Sequence, residues 1–160
     1  MPNAREHPAR NGARAPEATT LLRADHREVA RLLAEHSRTP NAVKKKQLAA
    51  QICAALAVHA QIEEEIFYPA LKEALADPEP VLEARVEHAT LRSLIARIEG
   101  AEPDAEMYEA NMNVLAEYVA HHVKEEQNDL FRKAKATDLD LRQLGAQLAE
   151  RKAELLARRA

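Results

Sequence analysis

A single cysteine, Cys53, rules out an intrachain disulfide and a cysteine-ligated zinc site, and it fits a reducing compartment. Set among apolar neighbours, Cys53 reads as buried packing rather than a reactive thiol. Glycine occurs only three times, and the few Val, Ile and Thr residues form no alternating stretch, so nothing reads as a sheet. No window approaches the ~18 to 20 uninterrupted apolar residues that span a bilayer, and the N-terminus has no apolar signal core. No membrane association and a cytoplasmic location are therefore expected. A strongly basic face is also missing: the formal charge of -3 comes from interspersed acids and bases, which argues against nucleic acid as a partner.

What the chain does have is Ala, Leu, Glu, Arg and Lys in quantity over 160 residues, about one domain's length. The expected fold is all-α: an antiparallel up-down four-helix bundle with an additional C-terminal helix. Residues 1–17 lack periodicity and read as a disordered arm, 18–136 as the bundle and 137–160 as the capping helix. Thr19 or Thr20 is the expected cap of a first helix, 21–37, with Leu22, His26, Val29 and Leu33 on one face. Thr39-Pro40 breaks the chain, with Pro40 placed in the first turn of a second helix. That helix, 41–76, carries Ile52, Ala55, Leu56, His59, Ile62, Glu63, Ile66 and Phe67 inward, and Pro69 kinks or splits it. A third helix, 81–98, aligns Val81, Ala84, His88, Leu91, Ile95 and Ile98. A fourth, 104–135, aligns Leu115, Tyr118, Val119, His122, Glu126 and Leu130. Thr137 and Asp138 are the expected caps of a fifth, 139–158, which offers Leu141, Leu144, Leu148 and Leu155 but no histidine, and so reads as a cover rather than part of a site.

Four of the five helices carry a histidine inside an apolar stripe. One such residue is usually a satisfied core group, but these form a pattern. His59 and His122 are each followed four residues later by a glutamate, Glu63 and Glu126, and positions four apart on a helix share a face. His59 follows His26 by 33 positions and His122 follows His88 by 34, so the chain reads as two hairpins, each delivering one His and then one His-x-x-x-Glu. The flanks repeat too: Asp25-His26 matches Glu87-His88, and Ile66-Phe67-Tyr68-Pro69 matches Asp129-Leu130-Phe131-Arg132. Packed antiparallel, the hairpins bring four imidazoles and two carboxylates to one place. Buried facing carboxylates repel, and metal cations resolve that conflict. Imidazole and carboxylate without thiolate suit iron or manganese, and two ions suit two bridging carboxylates better than one ion does.

Over roughly residues 20–135 the chain resembles the hemerythrin-like, or HHE, cation-binding proteins. The resemblance rests on Asp25-His26, on the run from His59 through Glu63-Glu64-Glu65 to Tyr68-Pro69, on Glu87-His88, and on His121-His122-Val-Lys-Glu125-Glu126 with Leu130-Phe131. It implies His26, His59, Glu63, His88, His122 and Glu126 as ligands of two iron ions with a bridging oxo or hydroxo group, manganese or zinc being substitutes. The oxygen-carrying members place two histidines four apart on the third helix, whereas here Arg92 follows His88. By ligand counting that leaves an opening on both metals, which favours peroxide or nitric oxide chemistry over reversible oxygen carriage. The resemblance therefore implies a di-iron protein that binds or reduces oxygen, hydrogen peroxide or nitric oxide in stress defence. The alternative is a non-catalytic iron or oxygen sensor with a protein partner on the C-terminal helix.

Several neighbours have two readings. Tyr118, one turn before His122, is either a core aromatic or a ligand or hydrogen-bond donor at the centre. Asp25 and Glu87 either orient ligand histidines or face solvent. His121 and Glu125 form a second His-x-x-x-Glu in competing register, which the alignment of Leu130-Phe131 with Phe67-Tyr68 disfavours. Glu64 and Glu65 are expected to be solvated or near the site, and His7 and His36 exposed.

Overall fold

A computed structural model describes residues 15–160. Seven α-helices are interrupted by two short π-helical segments: α1 (Ala18–Arg38), α2 (Ala42–Ile62), π1 (Glu63–Phe67), α3 (Tyr68–Ala74), α4 (Glu79–Ile98), α5 (Tyr108–Glu125), π2 (Glu126–Leu130), α6 (Phe131–Lys135) and α7 (Leu141–Arg159). The runs α2–π1–α3 and α5–π2–α6 are each continuous, so with α1, α4 and α7 the described residues make five rods and no strand, the expected bundle with an extra helix. α1 packs on α2, α4 on α5, and α7 on α1, α2 and π1. None of the described helices is long and apolar enough to cross a membrane.

The helix starts differ from expectation for reasons of capping. Glu17, not Thr19 or Thr20, caps α1, its carboxylate accepting from the Thr19 and Thr20 amides at 3.2 and 2.7 Å. A carboxylate there satisfies free amides and faces the positive end of the helix dipole. Glu17 is thus an ordered cap rather than the end of a loose arm, while residues 1–14 and His7 lie outside the described residues. Asn41 caps α2 through the Lys44 amide at 2.9 Å, so Pro40 precedes the cap rather than entering the first turn. Asp140, not Thr137 or Asp138, caps α7 through the Gln143 amide at 3.0 Å.

Two apolar halves flank a polar layer. One gathers Leu22, Ile62, Phe67, Leu71, Val81, Leu130 and Phe131 with Leu144, Leu148 and Leu155 of α7, so the last helix does cover the bundle. The other gathers Val29, Ile52, Cys53, Leu56, Leu91, Ile95, Leu115 and Val119. Cys53 is buried packing, and burial pushes its thiol up to about 11, away from reactivity. His36 is the correction at this end: it is 3 % exposed, with Nε2 2.7 Å from the Tyr108 hydroxyl, closing the core where α1 meets α5.

Candidate metal centre

Each rod of the repeated hairpins presents its histidine at the level of the polar layer. His26, His59, Glu63, His88, His122 and Glu126 are all buried there. The Nε2 atoms of His26 and His59 stand 3.2 Å apart, as do those of His88 and His122. The carboxylates cross between hairpins. Glu63 Oε1 lies 2.9 Å from His59 Nε2 and 3.5 Å from His88 Nε2, while Glu126 approaches His26 Nε2 at 3.1 Å and His122 Nε2 at 3.6 Å. Two overlapping groups have ligand atoms within 4.8 Å of one another, Glu63 with His88, His122 and Glu126, and His26 with His59 and Glu126. The competing pair, His121 and Glu125, makes a contact of 3.2 Å out in solvent.

The donor set fits metal cations. Glu63 Oε2 is buried with no polar partner, and Glu63 Oε1 and Glu126 Oε1 meet only imidazole nitrogens without forming hydrogen bonds; a buried carboxylate oxygen left so costs roughly 1 to 3 kcal/mol unless something charged meets it. Protons partly fill that role in the protein alone. Burial drives the His59 ring toward neutrality, but Glu63 and Asp25 overcome this and hold its pKa well above the usual histidine value. Burial likewise raises Glu63, and His59 and His88 outweigh it, holding the carboxyl well below the usual range. A metal ion held by His59 would have to displace that proton, so uptake there would release protons.

The outer nitrogens are held in place. His59 Nδ1 donates to Asp25 Oδ2 at 2.9 Å and His122 Nδ1 to Glu87 Oε2 at 2.6 Å, which turns both Nε2 atoms inward. Asp25 and Glu87 therefore orient the His59 and His122 rings rather than standing free in solvent. The Gln127 amide sits 2.9 Å from His26 Nδ1. Glu64 is 3.6 Å from His88 Nδ1 and is paired with Arg92, the residue that stands where a fifth histidine would be. Glu65 is paired with Arg151 of α7 at 2.7 Å.

Tyr118 is not at the centre: its half-buried hydroxyl bonds to the Glu87 carbonyl at 3.3 Å. Tyr68 takes the place proposed for it. The Tyr68 hydroxyl donates to Glu126 Oε2 and lies 3.1 Å from His88 Nε2. The reason is π1. The Tyr68 amide bonds to the Glu63 carbonyl five residues back, and the Phe131 amide does the same to Glu126 in π2. The extra residue in each turn carries the side chain five after the glutamate to the site, where a 3.6-residue period points Ile66 and Phe67. Pro69 does not cause this, because Arg132 holds the equivalent place after π2. Such π turns are frequent at functional sites. The sequence signal was the aromatic at the same offset in both halves, Tyr68 matching Phe131, whose ring stacks on His26 with centroids 5.7 Å apart. Replacing Tyr68 with Phe is expected to change the absorption spectrum of the metal-loaded protein, and Tyr118→Phe to leave it unchanged; the opposite pattern would restore Tyr118 to the centre.

The sequence profile of the hemerythrin HHE cation binding domain matches residues 17–134. The fold superposes on the crystal structure of an HHE cation-binding-domain protein from Mycobacterium kansasii with a TM-score of 0.78, at 24% identity and covering 89% of each chain, a likeness of fold. Over 111 residues the chain is 28% identical to a DNA nickase of Nostoc sp., covering 69% of this chain and 31% of that protein, so this chain spans under a third of that relative's length. Profile match, bundle and buried His/Glu layer agree, and the chain belongs to the hemerythrin HHE cation-binding family.

Proposed function

We propose that His26, His59, Glu63, His88, His122 and Glu126 hold two iron ions, and that the protein binds or reduces oxygen, hydrogen peroxide or nitric oxide in cytoplasmic stress defence. The observation that carries this reading is the buried layer of four inward Nε2 atoms and two crossed carboxylates with orphaned oxygens. Iron bound there supplies redox and Lewis-acid chemistry.

The chain's own groups suit a small ligand. A void of about 20 Å³ lies against all four histidines, floored by Val29, Leu56, Leu91, Val119 and Val123. That is room for a molecule of water size, which takes at least about 10 to 15 Å³ on this measure, and an apolar floor favours diatomics over larger polar substrates. The Tyr68 hydroxyl donates to Glu126 beside His88; burial, then Glu63 and Glu126, keeps its pKa well above the ordinary phenol value, so it serves as a hydrogen-bond donor whose proton stays on oxygen. A groove of about 450 Å³, lined by Glu83, Glu87, Glu125 and Asp129 among others, reaches His122 and Glu126 from the surface. The nicking of DNA named for the Nostoc protein is not carried over to this chain, which spans under a third of that relative's length.

The test is reconstitution with ferrous iron. Two irons per chain, a near-ultraviolet absorption band, and peroxide consumption or nitric oxide binding faster than that of free iron are expected. Rates equal to free iron would refute the activity. The contact between Lys152 of α7 and Asp25 favours a second reading, a metal sensor signalling through α7. Metal-dependent change of oligomeric state without turnover would select it.

A further inference from the structure

The two halves of the centre come from one repeated hairpin, but the groups behind their histidines carry different charge. Behind His26 is the neutral Gln127 amide. Behind His59 is Asp25, whose second oxygen, Oδ1, accepts from Lys152 Nζ at 2.5 Å. On the other side Glu64 near His88 is balanced by Arg92. Glu87, behind His122, has no lysine or arginine within salt-bridge distance among the described residues, and Tyr68 on that side is neutral. One carboxylate is therefore answered by a cation and its counterpart is not, a difference of one full charge.

Lys152 lies outside the repeat. It reaches Asp25 because α7 is docked by Leu148 and Leu155, four before and three after it on the same face. A fixed positive charge near a site disfavours a divalent cation, and a carboxylate shared with an ammonium is a weaker acceptor for the His59 Nδ1–H, which lowers the donor strength of Nε2. Glu87, unshared, does the reverse for His122.

We infer that Lys152 makes the two metal positions unequal, weakening the one served by His26 and His59 so that the one served by His88 and His122 takes the first ion. This rests on the paired-ion reading. Lys152 acts here as a positioning and charge-setting residue, not as a ligand.

The experiment is titration of the metal-free 160-residue chain with Co²⁺ alone, followed by calorimetry and visible absorption. Wild type is expected to take two ions in two resolved steps. Lys152→Met is expected to tighten the second step by about tenfold, the scale of outer-layer changes at metal sites, so that the steps merge, while Lys152→Arg keeps them apart. Glu87→Gln, which does not touch α7, is expected to weaken the first step by about as much and tests the same charge difference should Lys152→Met loosen the helix. A second step that is unchanged or weaker in a folded Lys152→Met protein overturns the inference, as does uptake of two ions in one step by wild type. Fewer than two ions in wild type brings down the paired-ion reading, and this inference with it.

Discussion

The double variant Glu63→Ala, Glu126→Ala is expected to lose metal and any metal-dependent activity together, while keeping its helical content. Each carboxylate meets histidines of both hairpins, Glu63 at 2.9 and 3.5 Å and Glu126 at 3.1 and 3.6 Å, so the pair joins the two halves of the centre. Loss of affinity should exceed the ~10- to 100-fold typical of outer-layer partners. Thermal unfolding gives a second readout. Free metal at about a thousand times its dissociation constant stabilises a folded protein by about 4 kcal/mol, which for a chain of this size raises Tm by roughly 10 °C. Wild type should show that shift and the variant should not. The sign with pH follows from His59: its raised pKa means the proton competes with metal, so wild-type affinity rises as pH is increased through that pKa. A variant that binds two ions with wild-type affinity would remove both glutamates from the ligand set.

Gly145→Ala should be the most damaging single-methyl change in the chain. A Cβ at Gly145 would lie 2.1 Å from the Pro16 carbonyl oxygen and under 3.0 Å from backbone atoms of Glu17 and Ala18. All three neighbours are main chain at the capped start of α1, so no side chain can swing aside. α7 would have to lift from α1, uncovering the apolar half that Leu144, Leu148 and Leu155 complete. A loss of about 3 kcal/mol is expected, seen as a Tm lower by roughly 10 °C. Gly100 provides the contrast. It has φ +73° and nothing within 4 Å of an added Cβ. Gly100→Ala carries only the left-handed backbone cost of about 1 to 2 kcal/mol. Equal Tm values for Gly145→Ala and wild type would mean that α7 is not seated against α1 in solution.

Much of the centre is legible in the sequence. The histidine stripes, the two His-x-x-x-Glu pairs and the repeat spacing are local patterns of the α-helix, and helical geometry alone puts i and i+4 on one face. The preference for His122 and Glu126 over His121 and Glu125 is legible by the same logic, since that register aligns Leu130-Phe131 with Phe67-Tyr68 and turns Leu115 and Tyr118 inward; Leu115 is fully buried and Tyr118 half-buried. Misreadings began where the period changed. Both π turns start at a glutamate of the buried layer; the 3.6-residue period correctly turns Ile66 and Phe67 toward the core, but it does not bring Tyr68 to the layer, which leaves Tyr118 as the candidate phenol.

The sequence by itself determined that the chain is helical, that it folds as paired hairpins, and which six side chains share their inner faces. The helices and their inner faces follow from neighbours within a few positions, and the hairpins from the repeat spacing of 33 and 34 residues. Only the tertiary structure decided that Glu63 meets His88 and Glu126 meets His26 across the hairpins, that His36 is buried against Tyr108, and that Lys152 reaches Asp25 from 127 residues away. Those pairings depend on how the rods dock, and docking is set by the summed burial of apolar faces, which no local spacing encodes.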